Sequence, residues 1–557
     1  MAPQPGILYV TMVPSLPAAR FQDWYNNEHG PGRLRLPQVF RNGFRYRGTD
    51  ANSPEWMAIY DVTDMKYMLE DVYTSLRKEP KQSQRERDTM KQIKVTRKFY
   101  DLVNEVKKPD FKELEKVEFE GSKETETVMR AVLFKLKGSS EDEGKELGRW
   151  YDEEHIPLLS KIPGWHRSRR FVTSSVEPAN DPKETEYLAL HEYDAANGLD
   201  TSAEFKHATN TPWRAKIYDT IIASKARRTY SHYLTFGPAP RDLASLTDPS
   251  VQPFTSAYQC TTTLPSNQSD SWPAIESIVT TTDGVVLPYR LEGNPNPQAP
   301  LLLLINSILV NHTIWTPFLQ SFLPANPQYR ILRYDARGRS ALPSTPNPNT
   351  PVTIELLTAD AITLLDALRI PRATGVIGVS LGGATALCLA LRYPERVASF
   401  VSCDTNSFAP PDNPKAWGER IAMAEGDVGA VDAQGERLVG PALADATARR
   451  WFVPAHHSGS GFEEVRKVVA ANSLEGFKRA VEALYEYDFR PLMKDGRVKG
   501  LFVVGGGDGV LPQTMLEMAR AYGVEGTRCE VVEDAGHLPM MEQPERFSRV
   551  VSSFLKS

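Results

Sequence analysis

Gly378-Val379-Ser380-Leu381-Gly382 sets a serine between two glycines in the pattern G-x-S-x-G, the spacing that lets a hydroxyl stand at the apex of a sharp strand-to-helix turn. A serine hydroxyl attacks a carbonyl only when a base takes its proton, so the same chemistry calls for a histidine and a carboxylate to orient it. Both stand further along in the order serine, acid, base. Asp508 closes Gly505-Gly506-Gly507-Asp508, and His537 closes Asp534-Ala535-Gly536-His537. Asp404, after the apolar run Ala398 to Ser402, is the alternative acid. The reaction would be acyl transfer, with the oxyanion held by two backbone N–H groups. One is that of Leu381, and the other comes from the loop after Leu301 to Ile305, by position from Ile308.

Each of these residues follows an element able to hold it. Gly375-Val376-Ile377 leads into Ser380 and the helical run Ala384 to Tyr393 leads out; Leu501 to Val504 precedes Asp508, and Arg528 to Val532 precedes His537. Further apolar runs at Leu301 to Ile305, Tyr329 to Tyr334, Ala373 to Val379 and Ala398 to Ser402 alternate with helical patterns, which predicts a parallel sheet covered on both faces. Glu276 to Thr282, Asp283-Gly284 and Val285 to Leu291 predict a hairpin ahead of it. His312, His456 and His457 have no comparable strand-end setting.

Together with Tyr334-Asp335-Ala336-Arg337-Gly338-Arg339-Ser340, a near match to the turn D-x-R-G-x-G-x-S, these residues make the last 280 or so resemble the α/β-hydrolase superfamily. Within it they resemble 3-oxoadipate enol-lactonases. That narrower likeness rests on Asn306-Ser307 with Trp315, on Trp417 and Arg420-Ile421, on Arg450-Trp451-Phe452, and on Gly476-Phe477 with Asp488. It implies a helical cap over about 406–493 and makes Arg450, Trp451, Asn306 and Trp315 substrate-binding candidates, the Arg-Trp pair facing an acidic substrate. The chain departs from that family at Leu309, where a glycine is usual, and in the long segment that precedes the hydrolase-like part.

That segment contains an internal repeat. Trp24-Tyr25-Asn26-Asn27-Glu28-His29-Gly30-Pro31 recurs as Trp150-Tyr151-Asp152-Glu153-Glu154-His155-Ile156-Pro157, a shared WYxxEHxP. Each copy has an apolar run before it, Gly6 to Val13 and Val128 to Leu136, and another after it, Trp56 to Tyr60 and Tyr187 to Leu190. With Gly43-Phe44-Arg45-Tyr46 and Trp56-Met57-Ala58-Ile59-Tyr60, the copies resemble EthD-like domains of the dimeric α+β barrel superfamily. The resemblance implies ferredoxin-like units that pair face to face, here within one chain. Trp24, His29, Trp150 and His155 form a second candidate site with two readings. They are acid/base or ligand groups in a pocket, or packing residues that fix the turn before Pro31 and Pro157.

Composition narrows the classes. Hydrophobic residues make up 41% and charged residues 24%, with 65 Lys and Arg against 70 Asp and Glu for a net charge of −5, which argues for a folded globular protein and against nucleic-acid binding by bulk charge. Cys260, Cys388, Cys403 and Cys529 are far apart with no CxxC, so free thiols in a reducing compartment are expected. No run approaches the roughly 20 apolar residues of a membrane span, and Ile7 to Val13 reads as a strand better than as a signal peptide.

At roughly 100 to 200 residues per domain the length predicts three or four domains. They are an EthD-like repeat at 1–103, a second at 124–235 after a charged connector at 105–127, a Pro- and polar-rich linker at 236–273, and an α/β-hydrolase domain at 274–557. The expected function is a cytoplasmic serine hydrolase of a lactone or ester, monomeric or homodimeric, needing no cofactor or metal. A carbon–carbon bond hydrolase or cyclase on the same triad is the alternative, as is a bifunctional or ligand-binding protein whose first half does the chemistry.

Overall fold

Alternation of side chains across each strand sorts the residues of the first half into layers. In Trp56–Val62, Trp56, Ala58, Tyr60 and Val62 pack under helices while Met57 and Ile59 face a separate cluster. In Glu186–Asp194, Ala189 and Tyr193 take the helix side while Leu188 and Leu190 join Met57 and Ile59. That shared cluster, drawn from both repeats, needs a sheet that curls around it.

The computed structural model describes residues 4–115, 127–138, 140–176, 185–256, 260–265, 272–340 and 351–557. Parts of the expected connector and linker, including 116–126 and 266–271, lie outside them. Eight strands of the first half, β1 (Gly6–Pro14), β2 (Phe40–Gly48), β3 (Trp56–Val62), β4 (Ile93–Lys107), β5 (Thr127–Leu136), β6 (Trp165–Thr173), β7 (Glu186–Asp194) and β8 (Ile222–Thr235), form a closed antiparallel barrel in the order β1-β3-β2-β8-β5-β7-β6-β4. Each repeat contributes four strands in the same internal order. The repeats join at two seams, β2 on β8 and β4 on β6, and each seam carries one bulge. Closure leaves no open sheet edge.

The helix that follows β1 or β5 runs into the WYxxEHxP motif, and in both copies the motif winds one π-helical turn, Tyr25–His29 and Tyr151–His155. The extra residue per turn comes where Pro31 and Pro157, lacking an N–H, enter the next helical turn.

The second half builds a nine-stranded sheet from β9 (Thr261–Thr263), β10 (Ala274–Thr280), β11 (Val286–Gly293), β12 (Leu301–Ile305), β13 (Arg330–Tyr334), β14 (Gly375–Val379), β15 (Ser399–Cys403), β16 (Lys499–Gly505) and β17 (Arg528–Val532). The order is β17-β16-β15-β14-β12-β13-β11-β10-β9, parallel from β17 to β13 and antiparallel beyond. Strands β12 to β15 are buried at every residue, as expected where helices cover both faces. Between β15 and β16 the helices Asn413–Gly426, Gly440–Trp451, Ser460–Ala470 and Leu474–Val481 form an inserted layer.

The chain divides into two compact units, one reaching Pro240 and the other beginning at Arg241 apart from a short stretch at Ser256. Three or four domains were expected from length; the repeats share one barrel, so they count as one unit. The stretch expected as a linker, 236–273, is not an extended tether where it is described. Leu243, Leu246, Val251 and Cys260 are buried and β9 extends the hydrolase sheet. Its apolar residues lack helical or strand spacing, which is why composition alone reads as a connector. All four cysteines are free thiols. Among the described residues no helix is long and apolar enough to cross a membrane.

Candidate active site

Ser380 sits between β14 and the helix Leu381–Arg392 with φ 58 and ψ −118, a left-handed conformation that costs about 1–3 kcal/mol for a residue with a side chain. Its neighbours must be bare. A Cβ on Gly378 would lie 1.9 Å from the carbonyl oxygen of Gly382, and one on Gly382 would lie 2.3 Å from that of Ile305. The turn is fixed from below by the Ser380 N–H, which donates to the Cys403 carbonyl at 2.8 Å. The Leu381 N–H then opens a helix at its positive end.

Asp508 follows β16 and His537 follows β17, so both stand with Ser380 at the carboxyl edge of the parallel strands, where open α/β sheets bind ligands. His537 Nδ1 and Asp508 Oδ2 are 2.6 Å apart, with side-chain exposures of 12% and 16%. This contact engages Nδ1 with a carboxylate and leaves Nε2 for a substrate or the serine. Asp404, at φ 47 after β15, is buried and accepts the Gly505 N–H at 2.8 Å. Burial, with the charge of Asp508 next, holds its carboxyl well above the usual range. A carboxyl disfavoured as an anion in this way is the poorer partner for an imidazole, and it is Asp508 that meets His537. Atoms of Asp404, Asp508 and His537 lie within 4.8 Å of one another, close enough to ligate a cation, but the His537 and Asp508 atoms already meet each other.

A model of the alpha/beta hydrolase family matches residues 302–550. 3-Oxoadipate enol-lactonase 2 of Acinetobacter baylyi is 31% identical over 278 residues, covering 50% of this chain and 95% of that protein. The chain belongs to the alpha/beta hydrolase family. Enol-lactonase 1 of the same organism is 28% identical over 282 residues, covering 50% of this chain and 97% of that protein. A putative carbamate hydrolase, RutD, of a Caulobacter is 26% identical over 279 residues, covering 49% and 97%. Among solved structures, the enol-lactonase from Burkholderia xenovorans is 30% identical with a TM-score of 0.42, covering 49% of this chain and 97% of that one.

In this alpha/beta hydrolase the loop after β12 carries Ile308 and Leu309, both buried, and Leu309 takes φ 68. A glycine adopts that conformation without penalty, which accounts physically for the residue usual there in enol-lactonases. Asn306 and Trp315, expected to touch substrate, are buried against each other. Trp315 Nε1 donates to Asn306 Oδ1 at 3.0 Å, and Asn306 Nδ2 donates to the Tyr334 carbonyl at 2.7 Å. They brace the loop that presents Ile308. Arg339 ties the same loop to the cap, donating to the Leu309 carbonyl at 3.4 Å on one side and to the Asn472 side chain at 3.1 Å and the Val468 carbonyl at 2.8 Å on the other.

Arg450 and Trp451 end the cap helix Gly440–Trp451. Trp451 is buried with its ring stacked on that of His537, centroids 5.4 Å apart, and its carbonyl accepts the His537 N–H at 2.7 Å. Arg450 is open to solvent on one side and, with Arg420, lines a cap cavity of about 250 Å³. Both guanidinium groups face the Trp417 ring, at 5.8 and 4.7 Å. Desolvation first and Arg420 second pull Arg450 down to about 10, while Asp508 opposes them. Glu419 lines the same cavity and offsets part of the charge on Arg420.

Sequence reasoning missed Glu542. Its carboxylate is wholly buried and accepts the Gly536 N–H at 2.6 Å, the Val453 N–H at 2.9 Å and a contact from His456 Nδ1 at 2.9 Å. It ties the loop of His537 to the cap. Nothing in its local sequence separates it from a surface glutamate at a helix start.

The second candidate site lies in the barrel. Trp24 and Trp150 are buried, and each ring packs on the histidine five residues on, at 4.5 and 4.3 Å. His29 meets Glu86 at 3.1 Å, yet burial lowers its pKa to about 4. Burial, then His191, holds His155 well below its usual value, and its Nδ1 has no partner. Both imidazoles are neutral near pH 7 and weak proton acceptors there.

Proposed function

We propose that this alpha/beta hydrolase is a cofactor-independent serine hydrolase of lactones or esters, with a lactone carrying a carboxylate preferred. The observation that carries this reading is the pairing of His537 with Asp508 at 2.6 Å on the sheet edge that also holds Ser380 in its left-handed turn. Likeness to two enol-lactonases supports the lactone, and the Arg420–Arg450 pair supports the carboxylate.

In the proposed reaction Ser380 Oγ attacks the lactone carbonyl and passes its proton to His537 Nε2. The oxyanion is held by the Leu381 and Ile308 N–H groups. Collapse breaks the ring C–O bond, and the leaving enol or alcohol takes the proton back from His537. Water, deprotonated by His537, then attacks the acyl carbon; the bond to Ser380 Oγ breaks, Oγ takes the proton back from His537, and a carboxylic acid is released. Asp508 orients and stabilises the imidazolium throughout. We read the two repeats, 1–103 and 124–235, as EthD-like, ferredoxin-like units closed on each other; the identical strand order of the two halves and the two seams support this.

The test is intact mass after treatment with a fluorophosphonate. One adduct per native chain and none on Ser380→Ala is the expected result. A well-folded native protein that takes no adduct refutes the reading and turns attention to His29 and His155.

A further inference from the structure

The two repeats of the barrel differ where their frameworks coincide. Bulges at Phe40/Asn42 in β2 and Trp165/Arg167 in β6 set them in register, so that Arg45 stands opposite Ala58 and Arg170 opposite Ala189. Each arginine reaches the same place on the motif, Arg45 to Asn26 and Arg170 to Asp152, both at 2.6 Å.

Around Arg45 the space is filled. Its guanidinium carbon lies 4.9 Å from the Phe21 ring centre, 4.5 Å from Tyr25, 4.7 Å from Trp56 and 5.1 Å from Tyr233, and the residue has no exposure. Phe236 closes the adjoining space by stacking between Tyr25 and Tyr60, 5.5 and 5.8 Å away.

Around Arg170 the box is dismantled. Tyr151 remains at 5.5 Å, but Phe21, Trp56 and Tyr233 are answered by Leu147, Tyr187 and Val103, the last being the residue set out by the seam bulge as Tyr233 is. Gln22 is answered by Gly148, in mid-helix, where glycine costs about 1 kcal/mol relative to alanine. Packing does not require that glycine, since a Cβ there would make only an ordinary contact, 3.4 Å from Arg170 Nη1. What results is a cavity of about 830 Å³ between the helix Glu141–Trp150 and the sheet, within the range of small-molecule sites. Arg170 lines it and is 9% exposed. Its Nη2 is bound to Asp152 and its Nε is shut off from solvent, while its Nη1 stands on the Gly148 side, 3.4 Å from where a Cβ on that glycine would lie. Neither His29 nor His155 lines this space.

We propose that the cavity of the second repeat binds a ring-sized apolar molecule bearing a conjugated oxygen acceptor, a carboxylate or a ketone, with Arg170 donating to that oxygen. In the first repeat the matching space around Arg45 is filled by side chains. This binding does not depend on the serine chemistry.

The test is calorimetric titration of the full chain with 2-naphthoate, 2-acetylnaphthalene and, as the control lacking an acceptor, 2-ethylnaphthalene. One site per chain is expected, with at least one oxygenated probe about tenfold or more tighter than the hydrocarbon; which of the two is tighter distinguishes carboxylate from ketone. Arg170→Met should bring that probe to the hydrocarbon's level. Gly148→Leu should abolish binding of all three while holding or raising Tm, because leucine is the better helix former. Should that variant not fold, Val103→Tyr at an exposed seam position supplies the block that the first repeat carries. Absence of saturable binding, equal affinity for all three probes, or binding that survives the filled cavity overturns the proposal.

Discussion

Glu542 gives the most direct test of how His537, the proposed base, is held. In Glu542→Gln one oxygen still accepts either the Gly536 or the Val453 N–H, and the new amide nitrogen presents hydrogens to the other. One charge-assisted bond, worth roughly 1.5–3 kcal/mol, is lost and a donor is left facing a donor, so the second unit should lose about 2–4 kcal/mol of stability. Relaxation is restricted, because a Cβ on Gly536 would already lie 2.3 Å from the Trp451 carbonyl oxygen, which also accepts the His537 N–H. The loop therefore moves away from the cap and carries the imidazole with it. A displacement of about 1 Å at a reacting group costs on the order of a hundredfold in rate. The assay is the second-order rate of fluorophosphonate adduct formation on Ser380, followed by intact mass beside a thermal melt. A tenfold or greater fall in rate in a protein that remains folded is expected. A variant that melts at the native temperature and labels within about twofold of the native rate would show that Glu542 positions nothing.

Two further outcomes follow from strain and burial. Leu309→Gly relieves a left-handed residue, about 1–2 kcal/mol, but deletes a buried leucine side chain worth roughly 2–5 kcal/mol; Tm should fall while the labelling rate of the folded protein stays within about threefold, and a rate collapse would mean that the side chain shapes the site. Glu28 is raised to about 7, chiefly by burial, so its contribution is fully present below the unfolded value near 4.5 and is lost as pH rises through 7. Glu28→Gln should match the native protein in stability at pH 4 and exceed it at pH 8 by up to about 3 kcal/mol; denaturant melts in which the two proteins are equally stable at both pH values would exclude an ionisable burial cost at this position.

Local chemistry was legible where a motif states its own geometry. The glycines around Ser380 announce a turn that tolerates no Cβ, and the runs before Ser380, Asp508 and His537 are strands as expected, buried before Ser380 and Asp508 and mostly open to solvent before His537, at the edge of the sheet. The hairpin of β10 and β11 was readable from Asp283-Gly284, with Gly284 at φ 85. What escaped was pairing at long range. Nothing in Arg45 or Leu234 announces that they meet across a seam, and nothing in Leu243 or Leu246 shows that a Pro-rich stretch is buried. Asn306 and Trp315 illustrate a different limit, since a polar and an aromatic residue near a site satisfy each other as readily as they greet a substrate.

The repeat offers an internal control on which barrel residues serve the fold and which serve a ligand. Trp24 with His29 and Trp150 with His155 keep nearly the same ring separation although one repeat is filled and the other holds a cavity. The ring planes differ, 48° apart in the first repeat and 18° in the second, but the shared separation belongs to the π-helical turn that both copies carry, and the depressed pKa of both imidazoles fits groups held neutral in packing. Phe21 to Leu147, Gln22 to Gly148, Trp56 to Tyr187 and Tyr233 to Val103 all shrink, and these four positions surround the matched arginines. Elsewhere on the lining the change runs the other way, as at Met12 to Phe134 and Asp23 to Arg149. The loss of volume is therefore local to the arginine, where it includes a glycine in mid-helix that packing does not require.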